Sequence, residues 1–400
     1  MTKPDTWLTA AEAARRLGVK RPTLYAYVSR GLLRSTARGG ATRERLYARD
    51  DVERLRRRAE ERRDPNAIAT HALDLGTPVL ESSITLIDGG RLYYRGYDAV
   101  ELSRTQSVAE VAALIWTGSV DGIAPGRAPT AKGASLSRDL PFIVRAQTML
   151  ATASAHDAGA FDLRPEVVVS AGLTILSLMT RAATLARAAT ETIDVELATA
   201  WQLKRGGADV VRSALILCAD HELNISAFTA RCVASAGATV YAAVIAGLSA
   251  LEGVRHGGLT SRVEAMLAGM RHARSGRAAI AERLRHGDEI HGFGHPLYPD
   301  GDPRAEELFA VLRARYPRSG ELAFASDVAD AAHDTLGRRP SLDFALATVS
   351  RVLGLPAGSG LTLFAIGRTI GWIGHAIEQY TVGQLIRPRA RYVGPAPLQS

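Results

Sequence analysis

Between Val108 and Gln384 the chain almost never alternates apolar and polar residues in steps of two. It runs instead as Ala- and Leu-rich stretches, amphipathic or wholly apolar, divided by Gly, Pro and Asp-Gly pairs. A half-buried strand needs the two-residue period, so this long stretch can bury its apolar side chains only by setting helix on helix. Residues 166–182 (EVVVSAGLTILSLMTRA) and 209–219 (DVVRSALILCA) are examples. The longest apolar run, 236–251 (AGATVYAAVIAGLSAL), is shorter than a membrane span and contains Ser, Thr and Tyr. It predicts a fully buried helix and no membrane segment. The exception to helix lies earlier. In 76–98 (GTPVLESSITLIDGGRLYYRGYD), alternating β-branched and aromatic residues flank Asp88-Gly89-Gly90, a strong hairpin signal. Residues 121–139 read as a surface loop. The expected fold is therefore all-α, with one small β-hairpin near the start of a large helical body.

Charge divides the chain in a second way. Residues 1–66 hold 17 Lys and Arg against 9 Asp and Glu, a balance of +8, whereas the remainder holds 32 of each sign. The whole excess of positive charge thus lies in the first sixth of the chain, which points to a polyanion partner for that module alone. Within it, LTAAEAARRLGVKRPTLYAYVSRGLL (8–33) reads as two short helices. Thr9 and Glu12 form a capping box, and Ala11, Ala14 and Leu17 are expected to line the inner face of the first helix. Gly18 breaks it, Arg21-Pro22 starts the second, and Gly31 stops that one. Leu24 and Val28 are expected inside, with Thr23, Tyr25 and Arg30 outside. A Gly-Gly turn in a basic loop and a helix from Asp50 follow. This order resembles the MerR-type helix-turn-helix with its wing and the related excisionase-like modules. The resemblance implies a second helix in a DNA major groove, through Arg21, Thr23, Tyr25 and Arg30, with Arg38, Arg43 and Arg45 on phosphates. The alternatives are a solvated charged face on a small helical cap, or a protein-binding module. The expected boundary leaves 1–66 as the module and 67–400 as the body.

The two cysteines, Cys218 and Cys232, form no disulfide framework, and the N-terminus lacks the layout of a signal peptide; both suit a cytoplasmic chain.

Polar residues in the body gather in a few stretches: DHELNISAFTAR (220–231), LEGVRHGGLTSRVEAML (251–267), HGFGHPLYPDGDPRA (291–305), PSLDFALATVSRVLGLP (340–356) and FAIGRTIGWIGHAIEQYTVGQLIRPRARYVG (364–394). Singly, His221 could cap a helix and His256-Gly-Gly could end one. His291 and His295 are four apart, but the glycines between them oppose a regular helix. With no cysteine nearby and no HExxH, no metal site is expected. Asp343, an acid between Leu342 and Phe344, is either an ion-pair partner or a base with a raised pKa. Together these groups suit carbon–carbon bond formation through an enolate. One carboxylate takes a proton, neutral imidazoles polarise carbonyl oxygens, and arginines hold carboxylates.

From about residue 76 to 394, these stretches resemble the landmarks of citrate synthases, in the same order. GFGHPLYPDGDPRA is similar to that family's G-[F/Y]-G-H…D-P-R signature, and LYYRGYD, DHELNISAFTAR, LEGVRHGG, LDF and GRTIGWIGHAIEQ…RPRARYVG to its other landmarks. The resemblance implies large and small helical domains, with the small one at roughly 232–340, closing on oxaloacetate and acyl-CoA. Asp343 would take the methyl proton of acetyl-CoA. His256 would stabilise the enol, oriented by Ser226 and supported by Asn224. His295 would polarise the oxaloacetate carbonyl and protonate the new alkoxide. His221, Arg304 and Arg368 would hold its carboxylates, and Arg387 would reach the neighbouring subunit's site in a homodimer. Citryl-CoA would then be hydrolysed, a si-type condensation of the tricarboxylic acid cycle with no metal or redox cofactor. Propionyl-CoA in place of acetyl-CoA would make 2-methylcitrate.

Three places depart from the family pattern. Leu259-Thr260 stand where Ala-Asn is common after His-Gly-Gly, and Ala345-Leu346-Ala347 where an aromatic and small residues are common after Asp-Phe. Pro299-Asp300 occupy the stretch where a basic residue usually helps to hold CoA phosphate; an acid there is unfavourable. The basic module adds a competing function, a transcriptional regulator whose body senses a metabolite.

Overall fold

The computed structural model describes residues 7–29, 32–37, 45–52, 55, 80–121, 137, 139–185, 192–390 and 392–395. The chain divides into two compact units with the break between Glu81 and Ser82. The expected boundary after residue 66, Arg30, Gly31, Arg38, Arg43 and most of the 121–139 stretch lie outside the described residues.

In the first unit, helices Ala10–Leu17 and Arg21–Ser29 are joined through Gly18, whose φ is 63°. The capping box forms as its residues require. The Thr9 hydroxyl oxygen accepts from the Glu12 amide at 3.3 Å, and the Glu12 carboxylate accepts from the Thr9 amide at 2.9 Å. Strand Arg45–Ala48 lies between Trp7–Thr9 and Ser35–Ala37, antiparallel to both. The core is Leu8, Ala13, Leu17, Leu24, Leu33, Tyr47 and Val52, with Val28 packed against it. One expectation is corrected: Ala13 is buried and Ala11 exposed. The inner face therefore follows 10, 13, 14 and 17, the phase set by Leu17 packing with Leu8.

In the second unit, strands Thr85–Asp88 and Arg91–Tyr94 pair antiparallel from Thr85 opposite Tyr94 to Asp88 opposite Arg91. Gly89 and Gly90 both have positive φ, which a two-residue hairpin turn of this hand requires. Tyr97–Asp98 adds a third strand. Helices make up the rest of the regular structure among the described residues. Ser359–Val382 is apolar on almost every side and buried for most of its length. It packs with Pro165–Thr184, Gly207–Leu217, Ile225–Ser235 and Val240–Leu251. Its approach to residues 215–219 is backbone to backbone. The Gly371 amide donates to the Ala219 carbonyl at 2.9 Å, and a Cβ on Gly367 or Gly371 would stand 2.4 Å from the Leu215 or Ala219 oxygen.

The run 236–251 does not form one buried helix. Gly237 (φ 74°) ends the preceding helix, Thr239 caps the next, and Val240–Leu251 leaves Ser249 exposed. Pro165–Thr184 is long and apolar enough to cross a membrane, with half of its apolar window buried in the protein as in a core helix.

Candidate active site

The site is built from five segments, four of them bends or helix starts and the fifth the middle of helix Ser359–Val382. The first is the bend after Gly207–Leu217. Here Glu222 takes a positive φ of 53°, and Asn224 caps helix Ile225–Ser235 by accepting from the Ala227 amide at 3.1 Å. The bend leaves His221 buried, its Nε2 3.0 Å from the Tyr298 hydroxyl. Ser226 donates to Asn224 Oδ1 at 2.9 Å, and its Oγ stands 2.8 Å from His256 Nε2. His256 lies in the turn between Val240–Leu251 and Gly258–Gly269, not at a helix C-cap, with its ring edge-on to Phe364 at 5.9 Å.

The segment 291–301 has no helix, as its glycines foretold. Gly292 has φ 85°, and a Cβ there would press on Val263 Cγ2 at 2.9 Å and Phe344 Cβ at 3.0 Å. The segment pairs with 339–341 instead: the Ser341 amide donates to Gly292 O, and the Gly294 amide to Arg339 O, each at 2.8 Å. His295 consequently sits edge-to-face with His221, ring centroids 5.1 Å apart. Its Nδ1 accepts from the Leu297 amide at 3.2 Å, so the neutral ring carries its proton on Nε2. His291 is turned to Arg262, 2.9 Å away, rather than to His295's partners.

Asp302 fastens two helices together. Its carboxylate accepts from Arg304 N (3.1 Å), Nε (2.9 Å) and Nη2 (2.8 Å), and also from the Leu342 amide (3.1 Å). It thereby joins the start of Pro303–Arg315 to the start of Leu342–Leu353, the helix that carries Asp343. One edge of the Arg304 fork is thus occupied by a carboxylate of the chain itself. Thr260, fully buried, donates to Asp343 Oδ1 at 2.5 Å. Arg368, 1% exposed, donates from Nε to Cys218 O at 2.8 Å and lies over the Phe364 ring, whereas its buried Nη1 has no partner.

These placements set the charges. Burial, then the fields of Arg304 and Arg368, hold His221 well below its ordinary 6.5. Burial and then Arg368 bring His256 down to about 4, and burial and then Arg304 lower His295. All three rings are neutral at pH 7. Burial raises Asp343 above 3.8, opposed by the Thr260 hydrogen bond and Arg304. Burial also tends to raise Asp302, but the charge and hydrogen bonds of Arg304 outweigh it and leave the carboxyl below its usual range. Burial pushes the Tyr298 hydroxyl up to about 12.

The structure therefore gathers His221, Asn224, Ser226, His256, His295, Arg304, Asp343 and Arg368. Arg387 stands apart, exposed on the segment after Val382. Tyr298, Asp302 and the Thr260 hydroxyl belong to the site and were not singled out for it by sequence. The Leu259-Thr260 departure marked one of them; Tyr298 and Asp302 lay in the 291–305 stretch without a distinguishing signal. Beside His295, a cavity of about 160 Å³ is lined by Pro299, Arg338 and Arg339.

A model of the citrate synthase C-terminal domain matches residues 73–389, and one of a helix-turn-helix domain matches 7–60. The chain is 36% identical over 190 residues to citrate synthase 2 of Bacillus subtilis, and 36% over 183 residues to 2-methylcitrate synthase 2 of Corynebacterium glutamicum. These alignments cover 47% and 45% of this chain, and it spans about half the length of each relative, 51% and 48%. With the citrate synthase of Haloferax volcanii it is 30% identical over 363 residues, 81% of this chain and 95% of that one. Among solved structures, Thermotoga maritima citrate synthase superposes with a TM-score of 0.68 at 25% identity, covering 82% of this chain and 97% of the other. The Thermoplasma acidophilum enzyme, solved as a ternary complex with carboxymethyl coenzyme A and oxaloacetate, shares the fold at a TM-score of 0.67 and 23% identity, covering 83% and 98%. Fold, site and similarity agree: the chain belongs to the citrate synthase family and carries a helix-turn-helix domain within its first sixty residues.

Proposed function

We propose that the body condenses oxaloacetate with acetyl-CoA to give citrate and CoA. The observation that carries this reading is a carboxylate of raised pKa, Asp343, gathered with three imidazoles kept neutral by burial and two buried arginines. Ionised Asp343 takes a methyl proton from acetyl-CoA, and His256 donates a ring N–H to the enolate oxygen. When the Ser226 hydroxyl turns from Asn224 to His256 Nε2, that ring proton sits on Nδ1, free for the enolate. The nucleophilic carbon attacks the keto carbon of oxaloacetate, whose oxygen is polarised by His295 Nε2–H and takes its proton as the alkoxide forms. The unpartnered Nη1 of Arg368, the open edge of Arg304 and His221 hold the carboxylates; a carboxylate satisfies the otherwise orphaned donor. Water then cleaves the thioester. No metal or redox cofactor takes part.

Arg338 and Arg339, beside Pro299, supply the positive charge that the 299–300 stretch lacks for CoA phosphates. Residues 232–340 act as a small domain closing over the substrates. A homodimer brings Arg387 to the site of a second copy, and the setting is cytoplasmic. The likeness to a 2-methylcitrate synthase makes propionyl-CoA the first alternative acyl donor to try. Oxaloacetate-dependent release of CoA thiol tests the proposal. Asp343→Ala should abolish it in a folded protein; unchanged turnover would sink the mechanism.

The first unit supports an accompanying role as a DNA-binding module of a regulator sensitive to the body's ligands. Arg21 is exposed, Tyr25 is 56% exposed, and the two stand four apart on helix Arg21–Ser29, one turn above the other on its surface. Salt-sensitive binding to a promoter fragment, lost on deleting residues 1–66, is expected; no binding even at low salt would refute it.

A further inference from the structure

Helix Ser359–Val382 sets Arg368, Gly371 and His375 at spacings of three and four, along one face, against the bend that carries His221. Asp220, the residue before His221, meets this face and is fully buried, as is His375. Its Oδ1 stands 3.2 Å from His375 Nε2, a contact that lacks the alignment of a good hydrogen bond, and its Oδ2 accepts from the Thr85 hydroxyl at 2.5 Å. Gly371 makes the room. A Cβ there would stand 2.4 Å from Asp220 Oδ1 as well as from the Ala219 carbonyl oxygen. One carboxylate therefore joins the central helix, the first strand of the hairpin and the bend, and the proposed chemistry does not use it.

The same carboxylate answers an electrostatic problem. A guanidinium buried away from water needs a counter-charge. Arg304 has Asp302 directly on its fork. Among the described residues Arg368 has no carboxylate in contact; its Nε is given to the Cys218 carbonyl and its buried Nη1 to nothing. Burial pulls the guanidinium below its ordinary 12.5, and the foremost charge opposing that pull is Asp220. Burial likewise tends to raise Asp220, but His375, then Arg368 and the Thr85 hydrogen bond, hold it below 3.8, so it is ionised at pH 7. Asp220 thus sustains the charge of Arg368 without occupying its donors. A carboxylate arriving at Nη1 shares that guanidinium with Asp220, and two like charges so placed in a poorly solvated site repel.

We propose that Asp220 is a positioning residue of the carboxylate-binding site: it supplies the counter-charge of Arg368 while the site is empty and opposes the substrate's carboxylate once the site is filled. The inference rests on the reading of Arg368 as a holder of an oxaloacetate carboxylate. Removing the charge should then act in opposite senses on the empty and the occupied protein, whereas removing a merely structural carboxylate would weaken both. The full chain is compared with Asp220→Asn, which keeps the shape and an acceptor for Thr85, and with Thr85→Val, which loosens the same junction but keeps the charge. Asp220→Ser, also uncharged but smaller, is measured alongside, so that the folding of one variant does not decide the test. Each protein is unfolded in urea and titrated calorimetrically with oxaloacetate alone. The uncharged variants should unfold at lower urea than the parent yet bind oxaloacetate at least about threefold more tightly. Thr85→Val should unfold earlier and bind no more tightly. Unchanged or weaker binding in the folded uncharged variants would overturn the proposal and leave the role of Arg368 standing. So would equal tightening in Thr85→Val, which would assign the effect to mobility of the bend. A parent that binds no oxaloacetate would overturn the carboxylate-binding reading itself, and the proposal with it.

Discussion

Replacing Thr260 by Val tests how Asp343 is tuned. The substitution keeps the shape of a fully buried side chain and removes the hydroxyl that donates to Asp343 Oδ1 at 2.5 Å. A hydrogen bond to a charged acceptor contributes about 1.5–3 kcal/mol, and one pKa unit corresponds to about 1.4 kcal/mol. The carboxyl, already raised by burial, should therefore rise by roughly one to two further units. Because the base must be ionised to act, activity is lost as pH falls through its pKa. The acid limb of the kcat/KM profile should move up by about the same amount, and kcat at the plateau should change less. Thr260→Ser, which restores the hydroxyl, should return the limb to its original place. An acid limb that stays put in Thr260→Val, with oxaloacetate-dependent CoA release intact, would refute either the hydrogen bond or the role of Asp343.

Asp302→Ala should cost about 3–5 kcal/mol in chemical denaturation, because it leaves the buried Arg304 guanidinium without its counter-charge and the Leu342 amide without its acceptor; a loss under about 1 kcal/mol would contradict it. Folding stability should also depend on pH through the histidines that desolvation keeps neutral. His221, His256, His291 and His295 all titrate below 6.5 in the folded protein, so below that pH the unfolded chain binds more protons. Stability is full above 6.5 and declines towards pH 4, where His256 alone accounts for roughly 3 kcal/mol; a urea midpoint that stays flat between about pH 7 and about pH 5 would contradict this.

Much of this architecture is legible in the sequence, and the parts that are not share a cause. The hairpin at Gly89-Gly90 and the helix start at Thr9 are local matters of chain geometry and capping, so neighbours in sequence decide them. The phase of Ala10–Leu17 was misplaced because alanine fits either face, and only the partner surface, Leu8 and Tyr47, chooses. The residue types of the site could be read, since an Asp between Leu342 and Phe344 and two histidines among glycines are costly without a use. Their second partners could not. Thr260 meets Asp343 across 83 positions, His221 meets Tyr298 across 77, and Asp302 binds Leu342 across 40. Such pairings depend on how helices are stacked, which periodicity does not encode.

The glycine-backed contact between Ser359–Val382 and residues 215–219 divides the site into a fixed half and a suspended half. With no side chain between the two backbones at Gly367 and Gly371, that seam has nothing to slide on, and Arg368 follows directly on the first of these glycines. Arg368 and the Cys218–His221 bend thus form a stationary frame against which an incoming molecule is registered. His256 and His295 hang from turns, and Asp343 from the first turn of its helix. Amides along the seam should be among the last in the body to exchange with solvent deuterium, and those around residues 253–257 and 292–301 among the first.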